Sequence, residues 1–285
     1  MMNLFKEIKT YLRAALANFS SILIIRVKGG IGNQCFYFAE ALYQRIVFNK
    51  KVYLDYSYYR YYSDREPIIR PSYPKIQELP LITFVTHLVI NLILRFFSLP
   101  TYIERDFPIN ILKLYQAKGT IREALADCNL TFETQQILKK YGELGYCVMH
   151  IRRGDYANRK NQTVYCHLKE DYYIEAFEFV KRETGINKVV VVSDDHSVAL
   201  EYSRKLSEFA EVLSVDYTSD SMRDFFIIME AKAVIIANST YSLSAAILNE
   251  NSPIIVSPKT WFLDDIENNK INYEIVTNVK NVVTI

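Results

Sequence analysis

The chain has almost no net charge: 34 Lys and Arg stand against 32 Asp and Glu, leaving +2. Nucleic-acid binders hold phosphates through an excess of basic side chains, so that class of partner is not expected. Cysteine is sparse, with Cys35, Cys128, Cys147 and Cys166 scattered at no CxxC or CxxH spacing. That removes zinc-site and disulfide-scaffold readings and fits a reducing, cytoplasmic setting. No uninterrupted apolar run is long enough for a bilayer. The longest, residues 79–100, is broken by Thr83, Thr86, His87, Asn91 and Arg95. It reads as a buried helix of the first domain, with peripheral contact at the inner face of the membrane as the alternative. Lys6, Lys9 and Arg13 near the N-terminus would add weakly to such an attachment. An early Glu7 and the lack of a small-residue cleavage site argue against a signal peptide. Tryptophan is nearly missing, whereas there are 22 tyrosines. Tyrosine stacks with its ring and bonds with its hydroxyl, which suits sugars and other amphipathic ligands as well as an aromatic core.

What is present alternates. Residues 21–27 (SILIIRV) form a continuous apolar strand that runs into Lys28-Gly29-Gly30-Ile31-Gly32-Asn33-Gln34. Cys35, Phe36, Ala39, Leu42, Tyr43, Ile46 and Val47 then fall on one helical face. Strand, glycine turn and helix resemble a phosphate loop in outline. GGIGNQ nevertheless lacks the spacing of GxGxxG and the Lys-Ser/Thr of a Walker loop, which disfavours a dinucleotide. Gly30 and Gly32 allow close approach to a ligand or a neighbouring chain, and Asn33 and Gln34 at the helix start are placed to hydrogen-bond a polar ligand, with helix capping the plain alternative for Asn33. A strand at 52–55 follows, then an irregular proline-rich passage. The signals from 101 to 144 are weaker, with helices expected near 109–114 and 132–141. The domain boundary is placed at 142–145, giving an N-terminal domain 1–144 and a C-terminal domain 145–285.

The second half carries strands at 145–149, 188–192, 211–215, 234–237 and 253–256. Helices at 171–182, 196–209 and 221–231 lie between them, with Ser221 as a cap, and a short apolar helix runs to Leu248. Strands and helices alternating at these lengths mean βαβ units and an α/β fold with parallel sheets. Three strand ends then share one edge. His150, Arg152, Arg153 and Asp155 end the first, Asp194 and Asp195 the second, and Asn238, Ser239 and Thr240 the third. Arginine offers a planar donor fork for phosphate, carboxylates accept from ribose or from a guanine N–H edge, and hydroxyls at a helix start favour anions. The plain alternatives are surface ion pairs for the arginines and helix capping for Asp194-Asp195. Together the three ends describe a nucleoside-diphosphate site.

These motifs, GGIGNQ, HIRRGDY at 150–156, SDD at 193–195, DFFIIMEAKAVIIANSTYS at 224–242 and SPKTW at 257–261, resemble those of the α-1,2-fucosyltransferases, glycosyltransferase family 11. The resemblance implies a GT-B-like pair of Rossmann-type domains, GDP-fucose as donor, and inversion at the anomeric carbon with no cofactor and no required metal. It implies a galactose 2-hydroxyl as acceptor, within an O-antigen or capsule glycan that can be lipid-linked. His150 and one of Asp194 or Asp195 would contact guanine, Arg152 would hold the β-phosphate, and Asn33 would lie near fucose or acceptor. Asp155 is the local carboxylate for deprotonating the acceptor, or else orients Arg153. Ser242-Leu243-Ser244-Ala245 departs from the family's Ser-Trp-Trp-Gly, and Cys35 and Tyr37 replace Met and Gln. A transferase of another nucleotide-linked sugar and a non-catalytic glycan-binding protein are the competing functions.

Overall fold

The computed structural model describes residues 22–60, 66–69, 73–79, 102–103, 109–126, 128, 130–154, 163–213 and 220–285. The chain forms two compact units, 1–127 and 128–285. Each is built on a parallel sheet, as an α/β pair of Rossmann-type domains requires. The apolar segment 79–97 lies almost wholly outside the described residues, as does Asp155. Among the described residues no helix is long and apolar enough to cross a membrane.

In the first unit β1 (Ile22–Arg26) is followed by α1 (Ile31–Phe48), β2 (Lys51–Asp55) and β3 (Ile76–Glu78). β4 (Tyr102–Ile103) and α2 (Ile111–Ala126) complete it, and the strand order is β3-β2-β1-β4. α1 and α2 are tied by a Lys113–Glu40 ion pair, with Lys113 also over the Tyr43 ring. The apolar face expected of α1 holds through Leu42 but not at Ile46 and Val47, which are 64% and 55% exposed. An 18-residue helix is about 27 Å long, against about 17 Å for a five-residue strand, so its last turn overruns the sheet. β3 and β4 escaped the sequence reading because they are three and two residues long, too short to show alternation.

The second unit begins with α3 (Phe132–Leu144), β5 (Cys147–Ile151), α4 (Glu170–Thr184) and β6 (Lys188–Ser193). α5 (His196–Leu206), β7 (Glu211–Val212), α6 (Ser221–Glu230) and β8 (Ala233–Ile235) follow. α7 (Thr240–Leu248), β9 (Ile254–Ser257), α8 (Asp265–Asn278) and β10 (Val282–Thr284) close the chain. The expected boundary at 142–145 falls behind α3, whereas α3 groups with the second unit. Its Tyr141 ring packs edge-on against Tyr146, whose hydroxyl donates to Ile227 O across the sheet layer. Asp220, not Ser221, caps α6, accepting from Met222 N and Arg223 N. α8 and β10 had no forecast: α8 buries only Asn268, Ile271 and Ile275 while exposing Ile266, Tyr273 and Val276, so its apolar period is blurred.

The sheet order is β10-β9-β8-β5-β6-β7, and every pairing is parallel. Taken from β7, this is the 3-2-1-4-5-6 order of the doubly wound fold. Its core joins Met149 and Ile151 of β5, Val189 and Val191 of β6, and Tyr173, Ala176 and Phe177 of α4.

The glycines of the first unit separate by their geometry. Gly29 sits at φ +80°, and a Cβ there would lie 2.4 Å from the Asn33 side chain. Gly30 precedes α1 in extended backbone with nothing within 4 Å of a Cβ. Gly29→Ala should therefore cost at least about 1 kcal/mol, and Gly30→Ala should stay within about 0.5 kcal/mol of the parent. Urea melts of the two variants distinguish them; equal midpoints would contradict the assignment.

Candidate functional site

Strand order reverses where β8 lies on the side of β5 away from β6, so the chain leaves the two strands in opposite directions and opens a crevice at their carboxyl ends. Met149 is level with Ile235 of β8, and Ile151 with Ser193 of β6. The segments 152–154, 193–195 and 236–239 therefore leave the same edge of the sheet. The three strand ends grouped from the sequence are neighbours in the structure.

His150, the fourth residue of β5, is 3% exposed and stacks its ring on Tyr241 of α7 at 5.2 Å. Burial, and secondly the Arg152 charge, push its pKa down to about 3, so the imidazole is neutral at physiological pH. Its Nδ1 is buried without a hydrogen-bond partner among the described residues. Such an orphan is rare in a folded interior, where buried polar atoms are nearly always paired.

Arg152 and Arg153 diverge, as alternate side chains on extended backbone do. Arg152 Nη1 lies 2.9 Å from Asp194 Oδ2. Arg153 donates instead to Leu168 O (3.1 Å), Arg152 O (3.2 Å) and the Tyr202 hydroxyl (3.4 Å). Its guanidinium thus braces the segment entering α4. Asp195 caps α5, accepting from Ser197 N and Oγ and from Val198 N. The Ser197 hydroxyl foremost, with those backbone donors, holds its carboxyl below the usual range. Asn238 is buried and donates to Cys166 O (2.7 Å) and Trp261 O (2.9 Å), clipping two loops together. Ser239 caps α7 by accepting from Tyr241 N, and Thr240 opens that helix. The N-terminus of α7, the positive end of its helix dipole, therefore lies at the same edge as Arg152.

In the first unit, Gly30 precedes α1, while Gly32 and Asn33 lie in its first turn, with Asn33 packed against Gly29. Gln34, expected beside Asn33 to meet a ligand, is engaged at both ends. Its amide donates to Glu66 O (2.9 Å) and accepts from Ile68 N (2.7 Å) and Ile69 N (3.1 Å). It rivets the 66–69 segment to the start of α1.

The family model for glycosyl transferase family 11 matches residues 87–277, more than half of the chain. The chain belongs to glycosyl transferase family 11. This family 11 member is similar to the O-antigen biosynthesis glycosyltransferase WbnK of Escherichia coli, at 26% identity over 83% of this chain and 93% of that one. It is also 23% identical to an alpha-1,2-colitosyltransferase of Escherichia coli over 85% and 93% of the two chains. Among solved structures, fucosyltransferase NodZ from Bradyrhizobium aligns with a TM-score of 0.44 and 12% identity, covering 80% of this chain and 92% of that one.

Two residues at this edge of the glycosyltransferase were not among the expected site residues. Asp224, in the first turn of α6, pairs with the buried Arg223 at 3.1 Å. Tyr241 packs its ring on Phe225 and His150 and donates its hydroxyl to Ser221 O. The DFF and NSTY runs held both residues, but nothing in their spacing showed that α6 and α7 bring them together. Burial raises the Asp224 carboxyl to about 6, against the opposing pull of Arg223. Because the folded value exceeds the unfolded one, the protonated form contributes stability in full below about pH 4. That contribution is lost as pH rises through about 6. Wild-type stability attributable to this group should fall between pH 5 and pH 7.5, and Asp224→Asn should flatten the fall. Urea titrations of both proteins at the two pH values measure it; parallel pH dependences would contradict the burial argument.

Proposed function

We propose that this glycosyltransferase moves fucose from GDP-fucose to the 2-hydroxyl of a galactose-type acceptor in a surface glycan, with inversion. The observation that carries the reading is the placement of Arg152 and the α7 N-terminus on one edge of the switch-point crevice. Both a fixed cation and the positive end of a helix dipole favour a diphosphate. A neutral His150 with an unpartnered Nδ1 supports a ligand reaching that depth. Among the carboxylates of this edge, Asp194 holds a loop, Asp195 and Asp220 cap helices, and Asp224 accepts from Arg223 through Oδ1. Asp224 is the one we assign to accept from a guanine N–H edge.

As the glycosidic bond to the diphosphate lengthens, negative charge grows on the leaving oxygen. Arg152 stabilises that charge more than the ground state, which lowers the barrier rather than merely tightening binding. A fixed guanidinium can do the work of a divalent ion at the leaving diphosphate. Asp155, beside this loop in sequence, is the proposed acceptor base. The acceptor is a galactose-containing, lipid-linked glycan met at the inner membrane face. A second reading, transfer of a different deoxysugar from its nucleotide, is favoured by the colitosyltransferase relative. Competition of donors for the same acceptor separates the two, and GDP release that depends on acceptor excludes a mere binding protein.

Arg152→Ala should lower kcat on the order of 100- to 1000-fold while weakening donor binding less. Arg152→Lys should recover part of the rate, because it keeps the charge and loses the fork. Wild-type turnover should persist in EDTA. Near-normal turnover in a folded Arg152→Ala protein, or activity abolished by chelator and restored by Mn²⁺, would sink the proposal.

A further inference from the structure

Three successive residues of the arginine loop converge on one side chain from the bend that follows β6. Asp194 Oδ1 accepts from Arg153 N at 2.8 Å. Its Oδ2 lies 2.9 Å from Arg152 Nη1. Gly154 packs so closely against the same carboxylate that a Cβ would fall 2.3 Å from Oδ2 and 3.0 Å from Cγ. Gly154 is thus a glycine by close approach, and its φ lies outside the left-handed region. One carboxylate orients a guanidinium by charge, a backbone N–H by hydrogen bond and a third residue by contact.

We propose that Asp194 is a positioning residue, which fixes the Arg152 guanidinium for a diphosphate and does not itself touch the donor. This rests on the reading of Arg152 as the phosphate-holding cation. Both carboxylate oxygens already face the loop, and a carboxylate and a diphosphate repel each other unless a cation lies between them. The side chains of Arg152 and Asp194 are 21% and 22% exposed, so the pair is partly shielded from water. Arginine has many rotamers, and a partner that selects one before the ligand arrives removes that ordering cost from binding and from the transition state. Arg153 reinforces the arrangement from the other side through Leu168 O and Tyr202. A loop so braced presents its cation in one place.

The test is a double-mutant cycle on nucleotide binding, which needs no acceptor. Titration calorimetry with GDP and with GMP yields a preference, the ratio of the two dissociation constants, and this ratio isolates the β-phosphate. Wild type, Asp194→Asn, Arg152→Ala and the double variant are compared at one ionic strength. Asparagine preserves the acceptor for Arg153 N and removes the charge. Wild type should prefer GDP about 10- to 100-fold. Asp194→Asn should lower that preference about 10-fold in the parent and less than about 2-fold in the Arg152→Ala background, because its effect passes through the arginine. Gly154→Ala, which retains the charge and displaces the carboxylate, should lower the preference in the same direction, and it serves as the readout should Asp194→Asn not fold. Equal losses in both backgrounds would make Asp194 an independent donor contact, and an unchanged preference in Asp194→Asn would remove its role; either overturns the proposal. If Arg152→Ala alone leaves the preference at its wild-type value, the diphosphate reading itself fails, and the positioning role falls with it.

Discussion

β8 lies against β5 on the side away from β6, and this placement decides where a ligand can enter the second unit. A parallel sheet has both faces covered by helices, so its chemistry is confined to its ends. At the carboxyl end, chain leaving β5 toward α4 and chain leaving β8 toward α7 turn to opposite faces. The gap between them is lined by whatever the two loops carry. Here one loop carries Arg152 and the other starts a helix, with the buried His150 ring against that of half-buried Tyr241 beneath.

The polar residues around that gap divide into two groups. Asp194, Arg153, Asp195, Asn238 and Ser239 have their hydrogen bonds answered within the protein, and each holds a loop or a helix start. They keep the edge rigid. His150 and Asp224 behave differently: burial disfavours the charge on each, and His150 has an orphan nitrogen. Groups of this second kind lower the stability of a ligand-free protein. A ligand bound at this edge would relieve the orphan His150 nitrogen, which is why the edge is the candidate site.

Much of this was legible in the chain. Continuous apolar runs such as 188–192 declared buried parallel strands, and the switch to polar residues after each run located the candidate edge. The divergence of Arg152 from Arg153 is what the two-residue period of extended chain dictates. What spacing could not supply was the partner of each polar side chain. Asp195 and Asn238 have the right chemistry for a donor, but in three dimensions Asp195 caps α5 and Asn238 binds Cys166 O, 72 residues away in sequence. Asp224 was passed over for the opposite reason: it sits in an apolar run, and only the packing of α6 on α7 brings it to the edge. The C-terminal α8 and β10 were illegible because Asn-rich helices with a thin apolar face resemble loops in composition.

The central claim is that the crevice between the carboxyl ends of β5 and β8 receives a nucleoside diphosphate. A crystal structure of the chain with GDP tests it most directly. The account predicts the diphosphate between Arg152 and the first turn of α7, with the base toward His150 and Asp224 and the Arg152–Asp194 pair intact. GDP bound away from residues 150–154 and 238–242, with that edge unchanged, would contradict it.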